Sequence, residues 1–320
     1  MKQVLITGAN GFVGRHLCAH LARAGWTVRA IVRSADSASE VGAYGTVHDV
    51  GDISADTRWD PLLADVNAVV HLAARVHVMF SSTPQAQEAY RRDNTAATIA
   101  LARAAARCGV RDFVFSSSVK VHGERTPGRP FCETDTPRPL DAYAISKWEA
   151  ELQLREIAKS NSLAVTILRL PLVYGAGVKG NFMRLLKLVD RGIPMPFASV
   201  QNVRSLLYVG NLVDAIEKRL AACNSGAETF LMSDGHDFST PQLIASLAAA
   251  LKVKPRLFAC PVSLLRAMGG LAGKGGEISR MVESLAIDPT KFQRQLHWLP
   301  PFSAQAGLDA TARWFRTRGR

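Results

Sequence analysis

At 320 residues the chain is long enough to bury one large core or two modest ones. An apolar fraction of 48% with 21% charged residues excludes a disordered or fibrous chain and fits an ordinary globular one. The net charge of +12 is dispersed through helical segments such as YRRDNTAATIALARAAARCGVR, which argues against a nucleic-acid partner and suits an anionic small substrate. In chain order, QVLIT (3–7) reads as a strand, and the glycine-rich TGANGFVG follows it directly. Helical spacing over 12–25 puts Leu17, Leu21 and Ala24 on one side, with Gly25 as C-cap. TVRAIV (27–32), TVHDV (46–50), AVVHLAA (68–74), DFVFSS (112–117) and AVTILRL (164–170) read as further strands, with helices near 85–107 and 143–159 between them. Short β-branched runs alternating with helices predict an α/β fold, a doubly wound parallel sheet covered on both faces.

After residue 175 the pattern loosens. Helices are expected at 181–191, 211–222, 240–251 and 261–271, separated by breaks such as GIPMPF. The reading is a Rossmann-type dinucleotide-binding core over 1–175, to which 201–222 returns. Segments 176–200 and 223–320 then form a smaller, mainly helical substrate lobe. The opening run VLI stops at Thr7-Gly8, so no leader is expected, and LFACPVSLLRAMGGLAG (257–273) is broken by Pro261, Arg266 and two glycines. No stable membrane insertion is therefore predicted. Cysteines 18, 108, 132, 223 and 260 include no CxxC and no Cys/His pair at metal-ligand spacing, which predicts reduced thiols, a cytoplasmic setting and no metal site.

Gly8, Gly11 and Gly14 have GxxGxxG spacing at the first strand–helix junction. Glycines there permit a tight turn, and the helix N-terminus offers free N–H groups and a positive dipole end to a pyrophosphate. The second strand ends Val32-Arg33-Ser34, with no acid until Asp36. A carboxylate at that point would take the ribose 2′-OH of NAD(H), whereas an arginine and a hydroxyl suit a 2′-phosphate, so NADP(H) is favoured and NAD(H) is the alternative. The plainer reading of Arg33 is an exposed strand-end cation. Asp52-Ile53, after the third strand, is a candidate border for the adenine.

Three polar signals fall at the carboxyl ends of the strands, where such sheets bind ligands. Ser116, Ser117 and Ser118 are expected just past the fifth strand, Tyr143 and Lys147 lie one helical turn apart, and Pro171 follows the sixth strand. A phenol with a pKa near about 10 is a poor acid–base group at neutral pH. An ammonium one turn away, with the charge of an oxidised nicotinamide, would stabilise its phenolate. Tyr143 could then exchange a proton with a sugar hydroxyl or carbonyl while Ser118 fixes the same oxygen. His71 reads as a packed strand-end residue, not a catalyst.

The order TGANGFVG, VVHLAA, SSS, YAISK and RLPLVYG resembles the extended short-chain dehydrogenase/reductases, in their nucleotide-sugar epimerase/dehydratase branch. The likeness runs over nearly the whole chain, including the late DPTKFQRQLHWLPP. It implies that Ser118, Tyr143 and Lys147 are catalytic and that Gly8, Asn10, Gly11, Phe12, Val13 and Gly14 form the phosphate loop. Leu72, Ala73 and Ala74 would line the cofactor channel, with Asn94 supporting the active-site helix and Pro171 bordering the nicotinamide. Asn181 and Arg204 would meet the sugar diphosphate. From position alone, Arg280 in the late lobe is a candidate to help hold it, and Lys120 and His122, near the expected site, are candidates for touching substrate. The branch's RPxxVYG appears here with Arg169-Leu170-Pro171, and its usual tyrosine before Gly123 is His122.

SSVKVHGE, GVKGNFMRLLKLV and SDGHDFSTPQLI are most similar to a bacterial subgroup acting on UDP-N-acetyl-hexosamines in O-antigen and capsule synthesis, which implies a UDP-sugar substrate. The first functional expectation is an NADPH-dependent reductase of a UDP-linked 4-keto-6-deoxy sugar. The alternative is a UDP-hexose or UDP-N-acetylhexosamine 4-epimerase with retained NAD, and a more distant one is a non-catalytic NADP(H)-sensing regulator. The resemblance also implies a homodimer through helices 85–107 and 143–159.

Overall fold

The computed structural model describes residues 2–34, 39–75, 83–126, 128–222, 225–273 and 275–318. The first half alternates as its hydrophobic runs dictate: β1 (Gln3–Thr7), α1 (Phe12–Arg23), β2 (Thr27–Val32), β3 (Gly45–Asp49), α2 (Asp60–Leu63) and β4 (Ala68–His71). Then come α3 (Pro84–Tyr90), a π-helical turn (Arg91–Ala96), α4 (Ala97–Arg107), β5 (Asp112–Ser118), α5 (Ala142–Ser160) and β6 (Ala164–Leu170). The second half holds β7 (Leu172–Tyr174), α6 (Gly180–Asp190), β8 (Arg204–Tyr208), α7 (Val209–Ala221), β9 (Ala227–Leu231), β10 (Asp237–Phe238) and α8 (Thr240–Ala250). It closes with α9 (Val262–Leu271), α10 (Gly275–Val282), α11 (Thr290–Gln295) and α12 (Ala304–Arg318).

Seven strands form one sheet in the order β3-β2-β1-β4-β5-β6-β9, every pair parallel. All residues of β4 and β6 are buried, as expected of strands covered on both faces. Period-two alternation splits each strand between two cores. Val4, Ile6, Val70, Val114 and Leu168 pack under α1 and α7. Leu5, Val69, Phe113, Phe115, Val165 and Ile167 pack under α4 and α5. A third core, from α6 (Phe182, Leu186), α8 (Ile244, Leu247) and α12 (Leu308, Phe315), belongs to the late lobe, beside a small sheet of order β10-β8-β7.

The structure amends several expectations. The fourth strand ends at His71 instead of residue 74. Leu72 N still donates to Thr7 O, but Ala73 N turns to the Thr7 side chain, because the chain peels away where the glycine loop turns. The three serines are the last residues of β5, pairing with Leu168, Arg169 and Leu170, not residues beyond it. After residue 175 the short strands β8, β9 and β10 lie among the helices expected there. Ala227–Leu231, assigned from sequence to the substrate lobe, is the seventh strand of the main sheet. Phe292 and Trp298 also pack in the core beneath α1 and α7, with Phe292 set edge-on to Phe230 at 5.1 Å.

Candidate active site

Strand order reverses around β1 and β4, so a crevice opens above their carboxyl ends. The glycine loop fills that position. Gly8 has φ +66°, and a Cβ there would stand 2.9 Å from Ala73 N. A Cβ on Gly14 would lie 2.2 Å from the Gly8 carbonyl oxygen, so both glycines are sterically required. Gly11 caps α1 with no side chain over the helix end, and the first turn holds no acid. Asn10 precedes it, and Phe12, Val13 and Gly14 begin the helix, with N–H groups that have no acceptor inside it. This cradle fits a dinucleotide pyrophosphate. Just past β2, Arg33 pairs with Asp52 at 3.1 Å, both strongly exposed. The end of β2 thus does have a carboxylate beside it, brought from the segment after β3. Ile53 packs against the core under α4 and α5. Asp36 and Cys223 lie outside the described residues.

A buried hydrogen-bond chain runs from this loop to α5. Ala73 N donates to Thr7 Oγ1, and Thr98 Oγ1 donates to Asn94 O. Each hydroxyl has one proton, which assigns the remainder. Thr7 donates to His71 Nδ1 (2.6 Å), and His71 Nε2–H donates to Thr98 (2.9 Å). His71 is therefore the neutral Nε2–H tautomer. Burial, with the Lys147 charge nearby, lowers its pKa to about 3. Asn94, buried in the π-helical turn, accepts from Arg75 N at 2.8 Å and donates to Ser146 Oγ at 3.0 Å. Ser146 donates to the Tyr143 carbonyl at 2.8 Å.

Tyr143 and Lys147 sit one turn apart on α5, the lysine nitrogen 5.9 Å from the phenol ring centre. Lys147 is buried, donates to Ser116 O at 2.8 Å and lies over the Phe115 face at 4.5 Å. Burial pushes Lys147 down to about 7, opposed by Glu151. Burial, with Asp141 and Tyr90 close by, pushes the Tyr143 phenol well above the ordinary tyrosine range. Charge on either group is discouraged in the chain alone. A neighbouring cation that favoured the phenolate would reverse that for Tyr143. Ser118, buried, accepts from Lys120 N at 3.2 Å and starts a single 3-10 turn, Val119–Val121.

Behind this edge is a second buried network. Arg169 donates to Glu151 through Nη2 at 2.6 Å and Nε at 3.1 Å, Ser117 donates to Glu151 at 2.6 Å, and Arg169 Nη1 meets His122 Nε2 at 2.7 Å. Arginine only donates, so His122 Nε2 accepts and the proton sits on Nδ1, which is buried without a partner. Burial and then the Arg169 charge lower His122 to about 4. None of these partnerships is apparent from sequence spacing, since Arg169 and His122 are 47 positions apart.

The expected substrate residues scatter more. Pro171 is buried between β6 and β7. Asn181 is exposed in the first turn of α6. Arg204 starts β8, donates to Glu283 O at 3.0 Å and feels the like charge of Arg280 from α10. Two guanidinium groups in such proximity suit a diphosphate. The Lys120 ammonium is bonded to Asp141 (2.6 Å) and Glu124 (3.1 Å). Sequence reasoning passed over Asp141, the N-cap of α5, although an acid just before a helical segment was the available signal.

A parallel sheet with an anion cradle at its switch point, beside a buried phenol–amine pair, is the architecture of a dinucleotide-dependent enzyme. The chain belongs to the NAD dependent epimerase/dehydratase family, whose model matches residues 4–232, and is thus an enzyme of the extended short-chain dehydrogenase/reductase type. It is 40% identical over 317 residues to a UDP-glucose 4-epimerase of Vibrio cholerae, covering 98% of this chain and 95% of that one. It is 28% identical to the N-acetyl-α-D-glucosaminyl-diphospho-ditrans,octacis-undecaprenol 4-epimerase of Escherichia coli O157:H7, covering 97% and 94%. Among solved structures, MoeE5 in complex with UDP-glucuronic acid and NAD superposes with a TM-score of 0.79 at 26% identity, covering 98% and 99% of the two chains.

Proposed function

We propose that this enzyme is a nucleotide-sugar 4-epimerase that retains NAD and acts on a UDP-linked hexose or N-acetylhexosamine. The observation that carries this reading is the full-length likeness, at 40% identity, to the Vibrio cholerae UDP-glucose 4-epimerase. The glycine cradle at Gly8, Gly11 and Gly14, with Leu72, Ala73, Ala74, Asn94 and Pro171, would hold the cofactor. When bound, an oxidised nicotinamide supplies reversible hydride transfer at C4. Tyr143 takes the proton of the C4 hydroxyl as the ketone forms and returns it when the other face is reduced. Ser118 donates a hydrogen bond to the same oxygen and keeps it in reach. Lys147 keeps positive charge one turn from the phenol. Arg204, Arg280 and Asn181 hold the sugar diphosphate. The enzyme acts as a homodimer through the helical segments 85–107 and 143–159. Among the described residues no helix is long and apolar enough to cross a membrane.

A second reading, reduction of a UDP-linked 4-keto-6-deoxy sugar with NADPH, is supported by Arg33 at the end of β2, where an NAD enzyme favours an acid. Asp52, paired with that arginine, supports NAD instead. One experiment separates them. Purified enzyme without added cofactor is incubated with UDP-glucose and UDP-N-acetylglucosamine and the products are resolved by chromatography. Mass spectrometry identifies the nucleotide that co-purifies. Interconversion of the C4 epimers with bound NAD is expected. No interconversion, together with oxidation of NADPH by a UDP-4-keto sugar, would replace this reading with the reductase.

A further inference from the structure

We propose that Lys120 is a positioning residue, whose ammonium neutralises the N-cap Asp141 and ties the turn after Ser118 to the start of the helix that carries Tyr143. The inference rests on reading Tyr143 as the proton carrier. Asp141 uses its two oxygens separately: Oδ1 accepts from Ala144 N at 2.7 Å, capping α5, and Oδ2 accepts from Lys120 Nζ at 2.6 Å. Lys120 N, in turn, donates to Ser118 Oγ at 3.2 Å. One lysine therefore touches the serine through its backbone and the tyrosine helix through its side chain. The span from Ser118 to Asp141, over 20 residues of intervening chain, closes at this point.

The electrostatic consequence follows from position. The charged and titratable groups near Tyr143 are Lys147 and Asp141 on its own helix and Tyr90 from α3, with rings 6.3 Å apart; Lys120, from the turn after β5, reaches this end of the helix through its bond to Asp141 and also pairs with Glu124. Glu151 lies a further turn along α5 and is neutralised by Arg169. The N-cap carboxylate is thus the one anion two residues from the phenol, and it opposes the phenolate. A helix N-terminus favours an acid as cap, while a phenolate disfavours it. Lys120 reconciles the two by leaving the capping hydrogen bond in place and setting a cation against the carboxylate. Burial alone would lower the lysine pKa, but Asp141 and Glu124 together hold it above the ordinary range, so the ammonium stays charged.

The test is a double-mutant cycle with Lys120→Met, Asp141→Asn and the pair, where Asn keeps a capping oxygen and Lys120→Arg serves as the conservative variant. Two quantities are read: the alkaline shift of tyrosinate ultraviolet absorbance with NAD bound, referenced to Tyr143→Phe, and the pH dependence of kcat/KM for epimerisation. Lys120→Met is expected to raise the Tyr143 transition by about one pH unit, and Asp141→Asn to lower it by a similar amount. The double variant should return to the wild-type transition, and Lys120→Arg should stay there. An unmoved transition in Lys120→Met, or an equal shift in the single and double variants, overturns the proposal. So does a rise in KM alone, which would make Lys120 a substrate contact. If the wild type epimerises nothing, the proposed function fails while the tyrosinate titration still decides the role of Lys120.

Discussion

At the scale of single residues, the site is a set of charges kept where burial discourages them. Lys147 makes this measurable without substrate. Its unfolded-state pKa is 10.5 and its folded value about 7. The unfolded chain therefore binds more protons between these limits, and the cost of burying the lysine is greatest at and below about pH 7. Lys147→Met should raise the melting temperature of the cofactor-free protein at neutral pH while abolishing activity. Scanning calorimetry should show that gain shrinking as pH rises towards 10.5. A gain independent of pH would contradict a lysine that gives up its proton more readily in the fold than in the unfolded chain. The placement of Ser118, Tyr143 and Lys147 was legible in the sequence because their spacing is local: a strand end and one helical turn. The bond between Lys120 and Asp141 was not legible, because the two residues are 21 positions apart and spacing conveys nothing at that range.

At the scale of elements, two networks clamp the strands to α5. In the first, His71 joins β1, β4 and α4; in the second, Glu151 and Arg169 join α5 to β6 beneath Ser117. Glu151→Gln should cost about 3–5 kcal/mol in urea unfolding, because it leaves the Arg169 guanidinium buried without its counter-charge. Replacing it at no cost would show that the pair is solvated. His71 and His122 are held neutral to about 3 and about 4, against an ordinary value of 6.5. Their stabilising effect is complete above pH 6.5 and is lost as pH falls through that window, since only the unfolded chain gains the protons. Each should make stability fall by about 1.4 kcal/mol per pH unit below the ordinary histidine range, and His122→Phe should flatten that slope. The strands of the first half were readable as β-branched runs between helices. AETFL was not, because a short strand with a glutamate at the sheet's edge lacks both the hydrophobic run and the alternation.

At the scale of the whole molecule, the chain does not divide at one point. β9 and the segment around Phe292 and Trp298 return to the main sheet and its core, while α6, α8 and α12 build the lobe. From sequence, 201–222 returns to the core but 223–320 stays in the lobe, because AETFL gives no strand pattern by which its return could be read. The cradle at the switch point depends on this whole sheet. Gly14→Ala puts a Cβ against the Gly8 carbonyl, so the purified variant should lose its bound dinucleotide while keeping its far-ultraviolet circular dichroism. Retention of the dinucleotide would show that the loop has room to move.

The central claim is that one phenol, governed by its cationic neighbour, carries the proton for chemistry at C4 beside a retained nicotinamide. Its most direct test is the rate at which Tyr143→Phe, confirmed to hold its dinucleotide, interconverts the C4 epimers of UDP-glucose or UDP-N-acetylglucosamine. The account predicts a loss of about 100- to 10,000-fold in kcat relative to wild type, with cofactor content unchanged. A variant that epimerises at the wild-type rate would contradict it.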